Sequence, residues 1–264
     1  MRFDLSFYLI DHRLLALVMV AVLVTIVEVV YRSGARWKEA PDSLRSQVSG
    51  IGAAMLGILG VLLGFTLSMA IARWDARRDV IVDEANAIGT LWLRAELLEE
   101  PLREELRSVL HDYTDTRIAL GGSRGDLDAL RTAQTEGVAL HAKLWSVVER
   151  ADQPGVSPAT LSTLIMAANE VIDLHELRVA SIENFLPAFL ILLLPGVAAV
   201  AVAALAWSFG TTTERGRTPI LLLTLLIGAV ILLIMDVNRP QRGAIGVGAA
   251  PLERLQESVA PSNS

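Results

Sequence analysis

The chain has 264 residues, of which 53% are hydrophobic and 20% are charged, with a net charge of −6 and no cysteine. A single soluble core of this length rarely needs so large an apolar fraction, so the composition favours a membrane protein. The absence of cysteine excludes disulfides and thiolate metal sites. The acidic balance argues against nucleic acid as a partner, because phosphate binding requires a concentrated Lys/Arg surface.

Four long apolar segments form two pairs along the chain. They are residues 14–31, 50–72, 185–209 and 218–236. Each is close to the roughly 20 residues that an α-helix needs to cross a hydrocarbon core of about 30 Å. Without alternating polarity, such segments must be helices in lipid. We therefore predict an all-α membrane protein with one transmembrane pair in residues 1–72, a second in 185–240 and a C-terminal tail in 241–264. The first segment is predicted to be a retained helix and not a cleaved signal peptide.

The intervening residues 73–184 are predicted to form a soluble acidic domain, since they hold 12 basic and 20 acidic side chains. Apolar positions keep helical spacing beyond the second span, so this helix should continue to just before Pro101. A second soluble helix should then run to Gly122. A third, capped by Asp126, and a fourth, capped by Ser157, should follow, with the fourth running directly into the third span. The four soluble segments are expected to pack as a bundle.

The second span carries a stripe of small residues along one side. The candidates for pore lining or helix packing on this span are Gly57, Gly60, Gly64, Phe65 and Ser68. Helices in lipid associate through close packing, so such a stripe predicts a helix contact. Two alternatives remain: a contact within the subunit, or a contact around a shared axis in a homo-oligomer with a pathway along it.

Ionisable residues are almost absent from the spans. The two that occur, Glu28 and Asp236, lie close to helix ends. A proton relay or an ion-coupled transporter normally buries several such groups. A channel with apolar constrictions needs none at this depth. The pattern therefore disfavours active transport.

A dense charge cluster follows the second span and contains Arg73, Asp75, Arg77, Arg78, Asp79, Asp83 and Glu84. Its aspartates fall one helical turn apart, where like charges repel unless basic side chains or a cation lie between them. Salt bridges are the commoner explanation and are predicted here, with a cation site as the alternative.

A second cluster precedes the third span and contains Glu170, Asp173, Glu176 and Arg178. The topology predicts that the two clusters face each other. No Glu-x-x-His pair, zinc-binding histidine spacing, phosphate loop or nucleophile elbow occurs, so no catalytic residue, metal or cofactor is predicted.

Several motifs belong together as a set. They are Leu63 to Thr66, Asp75 to Arg78, Asp83 to Thr90, Leu93 to Ala95, and Asp236 with Arg239, Pro240, Gly243, Pro251 and Leu252. Together they resemble the signature of the bacterial bestrophin-like domain family, whose function is largely uncharacterised. Relationship to true bestrophins implies an oligomeric anion channel with the second helix of each subunit around the pore. True bestrophins line a narrow pore neck with bulky aromatic residues on the second helix, and here only Phe65 is available at that place. No acidic run in the C-terminal part resembles the calcium-binding clasp of true bestrophins.

Three kinds of contact are predicted from the matched motifs. Asp236 should pair with Arg77 or Arg78. Arg239 should pair with Asp75 or Asp79. Asn86 and Thr90, one turn apart, should form hydrogen bonds across the soluble bundle.

The leading hypothesis is thus a passive channel for anions in the inner (plasma) membrane, surrounded by lipid. A small excess of basic residues near the helix ends predicts that both termini and the soluble domain are cytoplasmic. The alternative hypothesis is a non-conducting scaffold or signalling protein that binds a partner through its acidic helical domain.

Overall fold

The computed structural model describes residues 12–37, 40–122, 127–212, 216–239 and 246–259. These residues form α1 (His12–Ala35), α2 (Asp42–Ala95), α3 (Leu102–Gly122), α4 (Leu127–Arg150), α5 (Pro158–Glu183), α6 (Ala188–Gly210), α7 (Arg217–Val237) and α8 (Ala250–Val259). No strand occurs within these ranges. Four helices, α1, α2, α6 and α7, are long and apolar enough to cross a membrane. The predicted all-α architecture with four spans is confirmed.

The chain divides into two compact units. The membrane unit comprises α1, α2 up to Ala72, α6 and α7. The soluble unit comprises α2 from Arg73, with α3, α4, α5 and α8. Because α2 is one helix of 54 residues, the predicted continuation of the second span into the soluble unit is confirmed.

In the membrane unit, α1 and α6 come into backbone contact at two glycines. A Cβ atom on Gly34 would lie 2.5 Å from the carbonyl oxygen of Trp207. A Cβ atom on Gly210 would lie closer still to the carbonyl oxygen of Tyr31. Only glycine leaves room for this approach, and close packing of small residues is what holds helices together in lipid.

One face of the membrane part of α2 is buried. Its buried residues are Gly52, Leu59, Thr66 and Ala70. They recur at spacings of seven and four, which place them on one side of a helix. The Thr66 hydroxyl donates to the carbonyl of Leu62 at 2.7 Å, so this polar group is satisfied within its own helix.

The prediction that the fourth soluble helix runs directly into the third span was wrong. A break separates α5 from α6. Pro187 lies in this break, has no N–H and disfavours helical geometry at the preceding residue. The amide of that residue, Leu186, donates to Oδ1 of Asn238 at 2.9 Å, which satisfies a buried donor outside any helix.

The soluble unit has a continuous apolar core. It contains residues from every helix of the unit, including Ile88 of α2, Leu106 of α3, Leu144 of α4, Leu164 of α5 and Leu252 of α8. Part of the predicted C-terminal tail is therefore a packed helix.

Two N-caps were predicted for the soluble helices. The amide of Thr160 donates to Oγ of Ser157 at 3.1 Å, which confirms the cap of α5. The other predicted cap, Asp126, lies outside the described residues.

We expect Gly210→Ala to lower the melting temperature of the detergent-solubilised protein, because its methyl group has no space at the α1–α6 contact. Overpacking of this kind typically costs about 1–3 kcal/mol. Gly196→Ala is the matched control on the same helix, since a Cβ atom there would meet no atom within 4 Å. Equal stability of the two variants would contradict this packing role.

Candidate functional site

The predicted pore or packing residues lie on the uncovered face of α2. A Cβ atom added to Gly57, Gly60 or Gly64 would meet no atom within 4 Å. Phe65 is 69% exposed, and Ser68 is exposed as well. In the described part of the chain, no other helix covers these glycines. The alternative of a contact within the subunit is therefore not formed at this stripe.

Two of the three arginines that follow the second span bind the end of α5. Arg77 is buried, and its guanidinium donates to the carbonyl of Ser181 at 3.3 Å and to that of Asn184 at 3.4 Å. Arg73 donates to Oδ1 of Asn184 at 3.2 Å. Cations near the last carbonyls of a helix interact favourably with its dipole. This role of Arg77 was not predicted.

The aspartates of the same cluster form no salt bridge with any residue that the structure describes. Asp75, Asp79 and Asp83 are exposed, and none lies within 4.0 Å of a basic group in the described residues. The predicted salt bridges are thus absent from this part of the chain. Among the residues that the structure describes, no group of three or more potential ligands is arranged to hold a metal ion.

The remaining predicted contacts have different outcomes. Asn86 is exposed and Thr90 is half-buried, and within the described ranges neither side chain forms a hydrogen bond. Arg239 is buried, and its pairing, like that of Asp236, stays a prediction.

In the second cluster, Glu170 and Asp173 are exposed, whereas Arg178 is buried. Arg178 reaches α2, as the expected proximity of the two clusters implies. Its partner there is a glutamate of the first cluster, which was not singled out as a site residue.

That glutamate, Glu84, is the centre of a buried ionic cluster in the soluble unit. Its Oε1 accepts a hydrogen bond from Nε of Arg117 at 2.6 Å and another from the Tyr113 hydroxyl at 3.2 Å. Its Oε2 accepts from Nη1 of Arg178. Glu84 and Arg117 have no exposed surface. One carboxylate of α2 therefore binds side chains from both α3 and α5.

Two histidines extend this cluster. The rings of His141 on α4 and His175 on α5 meet edge to face at 4.6 Å, and His141 lies 5.3 Å from the Tyr113 ring. Burial lowers the pKa of both histidines, and nearby Arg117 lowers it further, so that the pKa of His175 is about 4. Burial, together with the charge of Glu84, raises the pKa of Tyr113. At neutral pH both imidazoles are therefore uncharged.

A signal for this cluster was present in the sequence. Glu84 occupies a position of the apolar stripe that contains Ile81, Ile88 and Leu91, and Arg117 interrupts a similar stripe on α3. A charged residue in register with buried apolar residues indicates a buried ion pair, because an isolated buried charge is costly. The identity of the partners was not encoded locally.

We expect Glu84→Gln to destabilise the protein strongly, because it leaves two buried guanidinium groups without a counter-charge. Removing one partner of a buried pair typically costs about 3–5 kcal/mol. Glu105→Gln is the control, since Glu105 binds Arg150 on the surface and its loss should change stability little. Thermal unfolding of both variants measures the difference. Similar melting temperatures would show that the Glu84 cluster does not stabilise the fold.

Comparison with known proteins agrees with this fold. The chain is similar to crystal structures of a bacterial bestrophin homologue from Klebsiella pneumoniae. One mutant structure gives a TM-score of 0.72 at 12% identity and covers 92% of this chain and 96% of that chain. The structure phased with zinc gives 0.70 at 13% identity, with coverage of 91% and 96%.

Such identities show the fold alone. No curated protein matches the sequence. The sequence model of the bestrophin-like domain family, however, matches residues 15–252 of this chain. This chain is therefore a membrane protein that belongs to the bestrophin-like domain family.

Proposed function

We propose that this protein forms a homo-oligomeric passive ion channel in the plasma membrane, with α2 of each subunit next to the pore. The observation that supports this proposal best is the uncovered face of α2. Its glycines are suited to close helix contact, yet the described chain leaves them unpacked. A second copy of the same helix around a shared axis is the occupant that the family resemblance implies.

The ionisable groups of the spans support passive conduction. Glu28 accepts hydrogen bonds from Arg32 at 2.7 Å and from Nη2 of Arg217 at 2.9 Å. This carboxylate thus joins α1 to α7 through ion pairs, and it is not an unpaired acid of the kind that a proton pathway uses. In the described spans, Asp236 is the other carboxylate, and it lies at a helix end. A proton relay would require more such groups.

Two features of the chain bear on the charge of the permeant ion. The family resemblance implies an anion. Asp75, Asp79 and Asp83 are exposed on α2 just beyond the membrane unit, and acidic rings favour cations when they line an ion path. These two indications oppose each other, and the reversal potential under a salt gradient distinguishes them.

We place both termini and the soluble unit in the cytoplasm, because basic residues near the helix ends are more numerous on that face. In this orientation the aspartates of α2 would meet ions at the cytoplasmic mouth of the pore.

A cysteine placed on the uncovered face of α2 tests the position of the pore. The chain contains no cysteine, so a single introduced thiol is the only target for a thiol-reactive cation. We expect Ser68→Cys to conduct in planar bilayers and to lose most of its current on treatment, because the added group occupies the pathway.

Thr66→Cys is the matched control, since Thr66 lies two residues away on the buried face. Its current should resist the reagent. Equal inhibition of both variants, or of neither, would contradict a pore along this face. Absence of ion flux in proteoliposomes under varied pH, calcium and voltage would favour the non-conducting scaffold.

Charge removal tests the role of the aspartates. We expect the triple substitution of Asp75, Asp79 and Asp83 by Asn to raise the permeability of chloride relative to sodium several-fold. A unit charge at contact distance in water changes the energy of an ion by about 1 kcal/mol. Asp152→Asn, at an exposed turn of the soluble unit, should leave the ratio unchanged. An unaltered reversal potential in the triple variant would exclude these residues from the ion path.

A further inference from the structure

We propose that the soluble unit contains an acid-operated switch, in which protonation of His141 and His175 loosens the packing of α4 against α5. This inference concerns the soluble unit alone and does not require the protein to conduct ions.

The packing around His175 leaves it little freedom to move. The side chain is 1% exposed and lies against Gly137 of α4, where a Cβ atom would be 2.9 Å from His175 Cε1. The ring of His141, also on α4, meets the same imidazole edge to face. Both α4 residues therefore approach the imidazole directly, so we expect a displaced His175 to disturb the packing of α4.

Within the described residues, one buried ring nitrogen of each histidine lacks a hydrogen-bond partner. These nitrogens are Nδ1 of His175 and Nε2 of His141. Both oxygens of Glu84, the buried carboxylate that α2 contributes, already bind the guanidiniums of α3 and α5. The hydroxyl of Tyr113, from α3, also donates to this carboxylate.

The local charge is already positive before either histidine is protonated. Arg117 and Arg178 face a single carboxylate, and Nη1 and Nη2 of Arg117 have no hydrogen-bond partner. A further acid, Glu176 on α5, is exposed and acts on His141. An imidazolium in the closed packing would thus join two buried cations, and a buried charge without a partner is costly.

Opening relieves this conflict, since a solvated histidine has a pKa near 6.5. Between about pH 6.5 and the pKa of about 4 that His175 has in the closed form, the opened form binds a proton that the closed form does not. The closed form therefore has its full stability above pH 6.5. It loses stability as the pH falls, and the loss from His175 is complete near pH 4.

Hydrogen exchange of the full-length protein in detergent tests the switch. We expect peptides from α4 and α5 to lose protection between pH 7.5 and pH 4.5, after correction for the intrinsic exchange rate. A shift from 6.5 to about 4 allows a change of the order of 100-fold. Peptides from α6 and α7 serve as the internal reference. Unchanged protection of α4 and α5 in the wild-type protein would overturn the proposal.

Substitution of both histidines identifies the proton sites. The double variant His141→Gln, His175→Gln should keep similar protection of α4 and α5 at both pH values. His111→Gln is the control, because this α3 histidine is exposed beside Asp115 and its loss should leave the pH dependence intact. Persistence of the pH dependence in the double variant would refute the assignment.

A titration of the wild-type protein covers the case in which the double variant does not fold. The Cε1–H signal of His175, followed by NMR, should titrate well below pH 6.5, because its pKa in the closed form is about 4. A His175 signal that titrates near 6.5 while the protein remains folded would equally refute the switch. Neither readout depends on ion flux, so failure of the channel proposal and failure of this one are distinguishable.

Discussion

The peptide groups of the spans have no access to water, and this constraint shapes the membrane unit. Every described span is helical, so that its peptide groups form hydrogen bonds within the helix. Two polar groups in or beside the spans also find partners inside the protein. Thr66 binds a carbonyl of its own helix, and Asn238 receives the amide of Leu186 at the break before α6. Because the hydrophobic effect does not drive helices together in lipid, the unit relies on the close approach of α1 and α6 at Gly34 and Gly210.

The soluble unit stabilises itself by different means. Its core excludes water around an ionic cluster in which Glu84 holds Arg117 and Arg178. Such a cluster is costly to bury, and it is sensitive to the loss of any member. It also determines the state of His141 and His175, which are neutral because burial and neighbouring guanidiniums oppose their protonation. Packing specificity and acid sensitivity therefore have a common origin.

The helix α2 belongs to both units, and its two faces have different roles. In the membrane unit one face packs within the chain, whereas the face with Gly57, Gly60 and Gly64 remains open. In the soluble unit the buried face contributes Glu84, and the exposed residues include the aspartates. The proposed functions follow this division: ion conduction concerns the uncovered side, and the acid response concerns the buried one.

Much of the architecture was predictable because its signals are local. The length of the apolar segments predicted the four spans, helical spacing predicted the continuation of α2, and Ser157 predicted the start of α5. The break at Pro187 also had a local signal, since proline restricts the residue before it, but the apolar run that begins at Phe185 continues across this proline. The short helix α8 was missed because half of its ten residues are polar and its packing depends on docking of Leu252 into the core.

The sequence by itself determined where the chain meets lipid and which segments are helical, since hydrophobic length and capping act over a few turns. Only the tertiary structure decided which side of α2 is covered, which glycines bring α1 and α6 together, and which arginines share Glu84. These partners are separated along the chain, by 33 residues for Arg117 and 94 for Arg178. The physical reason is that such choices depend on how the faces of distant helices fit, which no local pattern specifies.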